Sequence, residues 1–238
     1  MSTMIKAVNL GIKFRLGRYR RNSIRRVLLQ GQEVNNNFWA LRNVTFSLGQ
    51  SNLGIIGVNG SGKSTLLRII GGIYLPDEGT IEVEGKTSTQ FTLGLGFLTE
   101  LSGIDNIYLS GALLGLSQTE IHNTIHSIID FADIGDFINL PVRIYSTGMQ
   151  ARLGFAIATH THREIILIDE ILGVGDRNFQ AKCKAKIHEI TSNHTIILVS
   201  HNVETIREYT DKTLWLDKGQ IVTLGNTEEV IKAYVATS

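Results

Sequence analysis

The chain has 238 residues, 42% of them apolar, and a net charge of +1. This supports one large domain with a sizeable core and excludes nucleic-acid binding driven by bulk charge. A single cysteine, Cys183, sits in a polar stretch without a nearby base, excludes an internal disulfide and fits a reducing compartment. No apolar run approaches the ~20 residues that span a bilayer, and Met1 to Lys6 lacks a signal-peptide core, so a soluble cytoplasmic protein is expected.

Ile5 to Phe14 alternates loosely and predicts a first strand. Arg15, Arg18, Arg20, Arg21, Arg25 and Arg26 then fall within a dozen residues. Inside that run Ser23 precedes Ile24, Val27 and Leu28, which share one helical face. The spacing fits a short basic amphipathic helix for a membrane surface or a partner, and it fits a solvated charged turn. Gln30 to Asn37 is a polar loop, followed by Phe38-Trp39-Ala40-Leu41 and a strand over Asn43 to Leu48. Leu53-Gly54-Ile55-Ile56 is a short apolar run suited to a buried strand.

Gly57-Val58-Asn59-Gly60-Ser61-Gly62-Lys63-Ser64, followed by Thr65, matches G-x-x-x-x-G-K-S/T at every fixed position. Leu66, Leu67, Ile69 and Ile70 continue at helical spacing, which gives the strand–loop–helix context this motif requires. Its glycines let successive amides converge on one anion, and the helix start adds unpaired N–H groups. Lys63 reaches terminal phosphates and Ser64 offers a hydroxyl to magnesium. A nucleoside triphosphate is the expected ligand.

Pro76-Asp77-Glu78-Gly79 predicts a turn and Thr80 to Glu84 a strand. Thr87 to Phe97 holds one more strand and its exit loop. From Gly103 to Ala158 the pattern turns helical: Ile121, Ile125, Ile128 and Ile129 form one face with Thr119 near its start, and Phe131, Ile134, Phe137 and Ile138 continue after a break. Ser146 predicts an N-cap for a helix carrying Leu153, Phe155, Ala156 and Ile157, a second anion-binding helix start with free amides. Ile165 to Ile168 and Thr195 to Val199 read as buried parallel strands with a helix, Asn178 to Ser192, between them. Thr213 to Leu216 and Gln220 to Leu224 predict a hairpin turning at Lys218-Gly219, and Thr227 caps a last helix through Tyr234.

Parallel strands present ligands at their carboxyl ends. Asp169, ending the first buried strand, is placed to hold magnesium, and Glu170 beside it can orient or deprotonate an attacking water. His201 ends the next strand at the same edge and is placed to contact a γ-phosphate; a structural histidine is the alternative.

This order of parts, from the glycine loop through the Ser-x-Gly helix start and Asp169-Glu170 to His201, resembles the nucleotide-binding domain of ABC transporters over nearly the whole chain. The resemblance implies an α/β P-loop NTPase (ABC ATPase) with a mixed core sheet, an antiparallel β subdomain and an inserted helical subdomain. It implies one domain over 1–238, with the helical insert at about 103–158 and a basic insertion at about 15–37. In that family two copies sandwich two ATP molecules head to tail, each between the glycine loop of one copy and the signature helix of the other. ATP would thus be held by Gly57, Asn59, Gly60, Ser61, Gly62, Lys63, Ser64 and Thr65, with Ser146, Thr147 and Gly148 arriving from the partner copy. Mg2+ would be held by Ser64, Asp169 and Glu100, the last standing where the family carries glutamine. The signature L-S-G-G-Q reads here as Tyr145-Ser146-Thr147-Gly148-Met149, so Thr147 puts a side chain where glycine is usual. Gly173-Val174-Gly175-Asp176 is similar to the D-loop.

These departures, with Phe179-Gln180 and Phe38-Trp39-Ala40-Leu41, resemble the ATPase subunits that export O-antigen, capsular and teichoic-acid polymers. The resemblance implies ATP hydrolysis coupled to export of a lipid-linked polysaccharide across the inner membrane, with an integral membrane permease subunit as partner, peripheral attachment at the cytoplasmic face and no nucleic-acid ligand. The basic segment would lie near that permease, and the chain, ending at Ser238, would carry no C-terminal sugar-binding domain. A soluble relative acting on DNA or ribosomes is the alternative. Adenine is expected to stack on Trp39, with Phe38 and Phe14 behind it, unless Trp39 is a core residue.

Overall fold

The computed structural model describes residues 4–15, 37–85, 87–90, 97–160, 164–169 and 176–237. In chain order the strands are β1 (Ile5–Arg15), β2 (Asn37–Leu48), β3 (Leu53–Ile56), β4 (Glu78–Val83), β5 (Thr87–Gln90), β6 (Ile165–Asp169), β7 (Thr195–Val199), β8 (Lys212–Asp217) and β9 (Gln220–Asn226). The helices are α1 (Lys63–Ile70), α2 (Gly103–Leu113), α3 (Gln118–Ala132), α4 (Thr147–Thr159), α5 (Arg177–Asn193), α6 (Val203–Tyr209) and α7 (Thr227–Thr237).

Two sheets stack. The first is antiparallel, in the order β2-β1-β4; the second runs β5-β6-β7-β3-β8-β9, parallel except for β9, which folds back on β8. The apolar run Thr195–Val199 forms the buried parallel strand expected of it, every residue inside. Burying side chains of that size contributes about 1.5–3 kcal/mol each. One core lies between the two sheets and around α1, a second between the other face of the large sheet and α5, α6 and α7. A third belongs to the helical insert, where Ile121, Ile125, Ile128, Leu153 and Ile157 meet.

Phe38–Leu41 and Asn43–Leu48 are not separate pieces but one strand, β2. It is interrupted by Asn43 at φ 55°, and β1 by Asn9 at φ 49°. Each asparagine in the left-handed region absorbs an extra residue as a bulge, and each bulge resets the alternation of faces. Ile5 and Ala7 before Asn9, and Leu10 and Ile12 after it, are therefore all buried. Phe14 extends that inner face, paired with Phe38, while Lys13 pairs with Trp39 on the outer one.

α3 has Thr119 near its start, as expected, and is capped by Ser117, whose hydroxyl accepts from the Glu120 amide in a reciprocal capping box. The break after α3 is a short 3₁₀ turn at Gly135–Asn139. Thr227 opens α7, but its hydroxyl is buried and donates to the Thr210 carbonyl at 3.0 Å, while the Asn226 side chain accepts from the Glu228 amide at 3.0 Å. The predicted basic helix over Ser23 to Leu29 lies outside the described residues.

Candidate functional site

The glycine loop runs from the carboxyl end of β3 into α1. Gly57 at φ 148° and Gly62 at φ 105° adopt backbone that L side chains rarely take. A Cβ on Gly57 would lie 2.2 Å from the Leu216 carbonyl oxygen, and one on Gly62 would lie 2.7 Å from that of Ala40. The loop is thus pressed between β2 and β8. The β8–β9 turn tethers it further: the Gly219 amide donates to the Ser61 carbonyl at 3.0 Å, and the Gly219 carbonyl accepts from the Arg42 amide at 2.9 Å.

Helix α1 starts at Gly62 with no side-chain cap, whereas Ser102, Ser117, Ser146 and Asp176 cap α2, α3, α4 and α5. Its first amides keep their donor capacity for a ligand. Lys63 is 6% exposed and its Nζ donates to the carbonyls of Gly57 and Val58, each at 2.9 Å. Its charge is therefore held at the loop, where a phosphate would meet it. Ser61 is buried, and its Oγ has no hydrogen-bond partner among the described residues. A buried unsatisfied hydroxyl costs about 1–3 kcal/mol, which an anion seated in the loop would offset. These features fit a polyphosphate.

A cleft of about 420 Å³ opens over this loop, lined by Asn59, Gly60, Gly62, Lys63, Ser64, Thr65, Asp169, His201, Val199, Ala40, Phe14 and Phe38. The register explains the convergence. Ile55 pairs with Val199 and Val199 with Asp169, so β3, β7 and β6 end at one level. Ser64, Asp169 and His201 thereby line one space. A hydroxyl beside a carboxylate is a hard-oxygen set that suits magnesium. A larger hollow of about 610 Å³ lies at the amino-terminal edge of the same sheet, around Asn52, Glu164 and Asp211. Unlike the smaller cleft, it is not lined by the glycine loop.

Two expected site residues are not brought there. Trp39 does not line the cleft. It lies on the outer face of β2, with Lys13 Nζ and the Arg42 guanidinium each 5.3 Å from its ring centroid. Period-two alternation makes Trp39 and Phe38 point oppositely, and the cleft receives Phe38 and, across the pair, Phe14. Glu100 is also elsewhere. It forms a 3.3 Å ion pair with Arg143, both exposed. Backbone bonds from Val142 to Leu101 and from Arg143 to Thr99 hold that turn within the helical insert. Glu170 and residues 171–175 lie outside the described residues, so the expected base and most of the D-loop are not placed.

Ser146, Thr147 and Gly148 form the tip of α4 and do not line this chain's own cleft. The Ser146 hydroxyl accepts from the Met149 amide at 3.2 Å, so that amide is not free. Those of Thr147 and Gly148, in the first turn, have no intrahelical acceptor. Tyr145 anchors the tip by donating its hydroxyl to the Phe137 carbonyl at 2.6 Å, and burial raises its pKa. A Cβ on Gly148 would meet only the Ser146 Oγ, at 3.7 Å. Nothing within the described residues therefore requires a glycine there.

The comparisons with known proteins agree with this geometry. The pattern that defines the family "ABC transporter" matches residues 41–173. The teichoic acids export ATP-binding protein TagH of Shouchella clausii is 42% identical over 205 residues, covering 85% of this chain and 57% of that protein. The O-antigen export system ATP-binding protein RfbB of Klebsiella pneumoniae is 38% identical over 209 residues, 87% of this chain and 83% of that one. Among solved structures, the dimeric post-hydrolysis state of the ATP-binding cassette MJ0796 bound to ADP and Pi superposes with a TM-score of 0.74 at 20% identity, covering 94% of this chain and 99% of that one. The chain belongs to the ABC transporter family and has its ATPase-cassette fold. It spans between 54% and 64% of the length of four of the teichoic-acid relatives.

Proposed function

We propose that this chain is the ATP-hydrolysing subunit of an exporter for a lipid-linked polysaccharide of the O-antigen, capsular or teichoic-acid type. The observation that carries the reading is the cleft in which Lys63, Ser64, Asp169 and His201 converge at the carboxyl edge of the parallel strands. The names of the relatives at about 40% identity supply the substrate class.

Phosphoryl transfer to water needs positioning and charge stabilisation more than covalent chemistry. The loop amides and Lys63 hold the β- and γ-phosphates. Ser64 and Asp169 would hold magnesium, which neutralises charge on the transferring phosphoryl group when bound. His201 reaches the γ-phosphate, and Glu170 orients the attacking water and accepts its proton. The first turn of α4, with Ser146, Thr147 and Gly148, closes the site of a second copy. The working unit is a homodimer docked on an integral membrane permease at the cytoplasmic face of the inner membrane. Attachment there would be peripheral. Among the described residues no helix is long and apolar enough to cross a membrane.

Co-purification tests this. The chain extracted from membranes is expected to bring down an integral membrane subunit and to hydrolyse ATP in that complex. Recovery with ribosomes or DNA instead would replace the exporter reading with that of a soluble relative.

A further inference from the structure

The tip of α4 is preceded by one buried side chain in an otherwise accessible run. From Arg143 to Gln150 every residue is exposed or half-buried except Tyr145, which is 6% exposed. Its hydroxyl donates at 2.6 Å to the Phe137 carbonyl, in the 3₁₀ turn Gly135–Asn139. The Gly103 backbone hydrogen-bonds to the same oxygen. A phenol has one proton to give, already directed to Phe137, so at Gly103 it accepts from the amide. Gly103 is the first residue of α2, and an amide there has no acceptor within its own helix. One oxygen thus joins three elements: the start of α2, the turn after α3 and the residue before the Ser146 cap of α4.

The space around that oxygen is closed. A Cβ on Gly103 would lie 2.4 Å from it, 2.8 Å from Ile138 Cδ1 and 2.9 Å from the Ile138 carbonyl oxygen. Helix α2 comes this near because its first residue has no side chain. Backbone bonds continue the clasp: the Tyr145 amide donates to the Val142 carbonyl at 3.0 Å, and the Val142 amide to the Leu101 carbonyl at 2.9 Å. Leucine, the residue of the family signature at this position, would fill apolar space there but has no polar atom to bridge α2 and the turn. The Phe137 carbonyl also accepts from the Leu140 amide at 2.8 Å, so it keeps a partner if the hydroxyl is removed. Neither Tyr145, Gly103 nor Phe137 lines the chain's own cleft. The hydroxyl therefore fixes the chain one residue before the helix cap without touching the nucleotide bound by the same subunit.

We propose that Tyr145 is a positioning residue for hydrolysis in the site of a second copy: its hydroxyl, held between Gly103 and Phe137, sets where the first turn of α4 meets that copy's γ-phosphate. The inference rests on the homodimeric ATPase reading above. It adds a specific requirement to that reading, a phenol rather than an apolar side chain before the cap, paired with a glycine at the start of α2.

The test uses the full chain, with steady-state hydrolysis, titration of a fluorescent ATP analogue at low chain concentration, and melting curves in parallel. Tyr145→Phe removes one oxygen and keeps the ring. It is expected to lower kcat about 10- to 100-fold, the range that misplacement of a catalytic group produces. Kd for the analogue should stay within about 2-fold, because the phosphate loop is untouched. The melting temperature should fall by only about 1–6 °C, as for one hydrogen bond in a chain of this size. Tyr145→Leu also lacks the hydroxyl and serves if Tyr145→Phe fails to fold; kcat should fall again. Gly103→Ala pushes a methyl group against the oxygen and should lower kcat more in the wild-type chain than in Tyr145→Phe, because both changes disturb one contact. A merely structural tyrosine would lower the melting temperature and leave kcat of the folded fraction unchanged. That result, a Kd that rises as much as kcat falls, or losses from Gly103→Ala and Tyr145→Phe that multiply independently, would overturn the proposal. Wild-type chain that binds ATP but never turns it over would instead overturn the ATPase reading, and this one with it.

Discussion

Which aromatic side chain supports the adenine is a sharp question, because two adjacent residues of β2 compete and the strand decides between them. Phe38 is 51% exposed and lines the cleft beside Phe14, whereas Trp39 lies on the far face between Lys13 and Arg42. Base–aromatic stacking is worth about 1–3 kcal/mol by alanine substitution, so Phe38→Ala is expected to raise Kd for ATP roughly 5- to 150-fold. Every base has a π-face, so GTP should weaken in parallel. Trp39→Ala should leave Kd within about 2-fold and act on stability. Two exposed cation–π contacts at about 0.5–1 kcal/mol each make about 1–2 kcal/mol, before lost packing against Gly11. For a chain of this size each kcal/mol is about 2–4 °C in Tm. Titration with a fluorescent ATP analogue and a melting curve on both variants separates the roles. Loss of ATP affinity in Trp39→Ala with none in Phe38→Ala would refute the face assignment.

Other residues give simpler outcomes. Lys63→Ala removes a charge held at the loop by two carbonyls and is expected to cost about 2–5 kcal/mol of ATP binding; near-wild-type affinity by calorimetry would detach Lys63 from the phosphates. Glu170→Gln should bind ATP normally and slow single-turnover hydrolysis by about 10²–10⁴-fold, and an unchanged rate would remove Glu170 as the base. Asn43→Ala places a Cβ-bearing residue without a local side-chain hydrogen bond in the left-handed region and should lower stability by about 1 kcal/mol, whereas Asn43→Gly should not; equal melting temperatures would contradict the bulge. Burial pushes the Cys183 thiol up to about 12, partly offset by Arg152. The unfolded chain loses that proton first as pH rises, so this group's stabilisation is full below about pH 9 and declines between there and pH 12. At pH 8 a thiol reagent should label native Cys183 far more slowly than the urea-unfolded chain, and equal rates would refute its burial.

The large sheet and the phosphate loop were readable because each rests on local signals: apolar runs for β3, β6 and β7, and a motif whose every fixed position has a steric or charge reason. The three-stranded sheet was harder. Asn9 and Asn43 look like ordinary polar residues, yet each shifts the alternation by one, and a further register shift between Ile12–Leu41 and Lys13–Trp39 leaves Phe38, not Trp39, opposite Phe14 on the cleft side. An asparagine interrupting an alternating run is the available clue, and it requires knowing the partner strand. Glu100 was misplaced for a similar reason, since its ion pair with Arg143 joins residues far apart in sequence.

The distribution of helix caps bears on the proposed homodimer. Evolution of a stable monomer would cap every helix start and fill the first turn of each with good helix formers. Three helices depart from this. Helix α2 carries Gly103 in its first turn, where a Cβ would lie 2.4 Å from the Tyr145 hydroxyl oxygen, so its own packing explains it. Helix α1 has no cap, and its own chain supplies the reason: the cleft, with Lys63 and Ser64, stands before it. Helix α4 has its Ser146 cap but carries Gly148 in its first turn, although a side chain there would meet no backbone and no crowded atom. Glycine within a helix costs about 0.5–1 kcal/mol relative to alanine, and no described contact of this chain offsets that. The compensation must then come from something that approaches the backbone closely from outside. The same tip leaves first-turn amides pointing outward, so an anion is the natural visitor, and on the reading proposed above that anion is the γ-phosphate in the cleft of a second copy. Thr147, between these groups, would then lie against the bound nucleotide. Substituting it should alter turnover of the dimer while leaving ATP binding by the separate subunit unchanged.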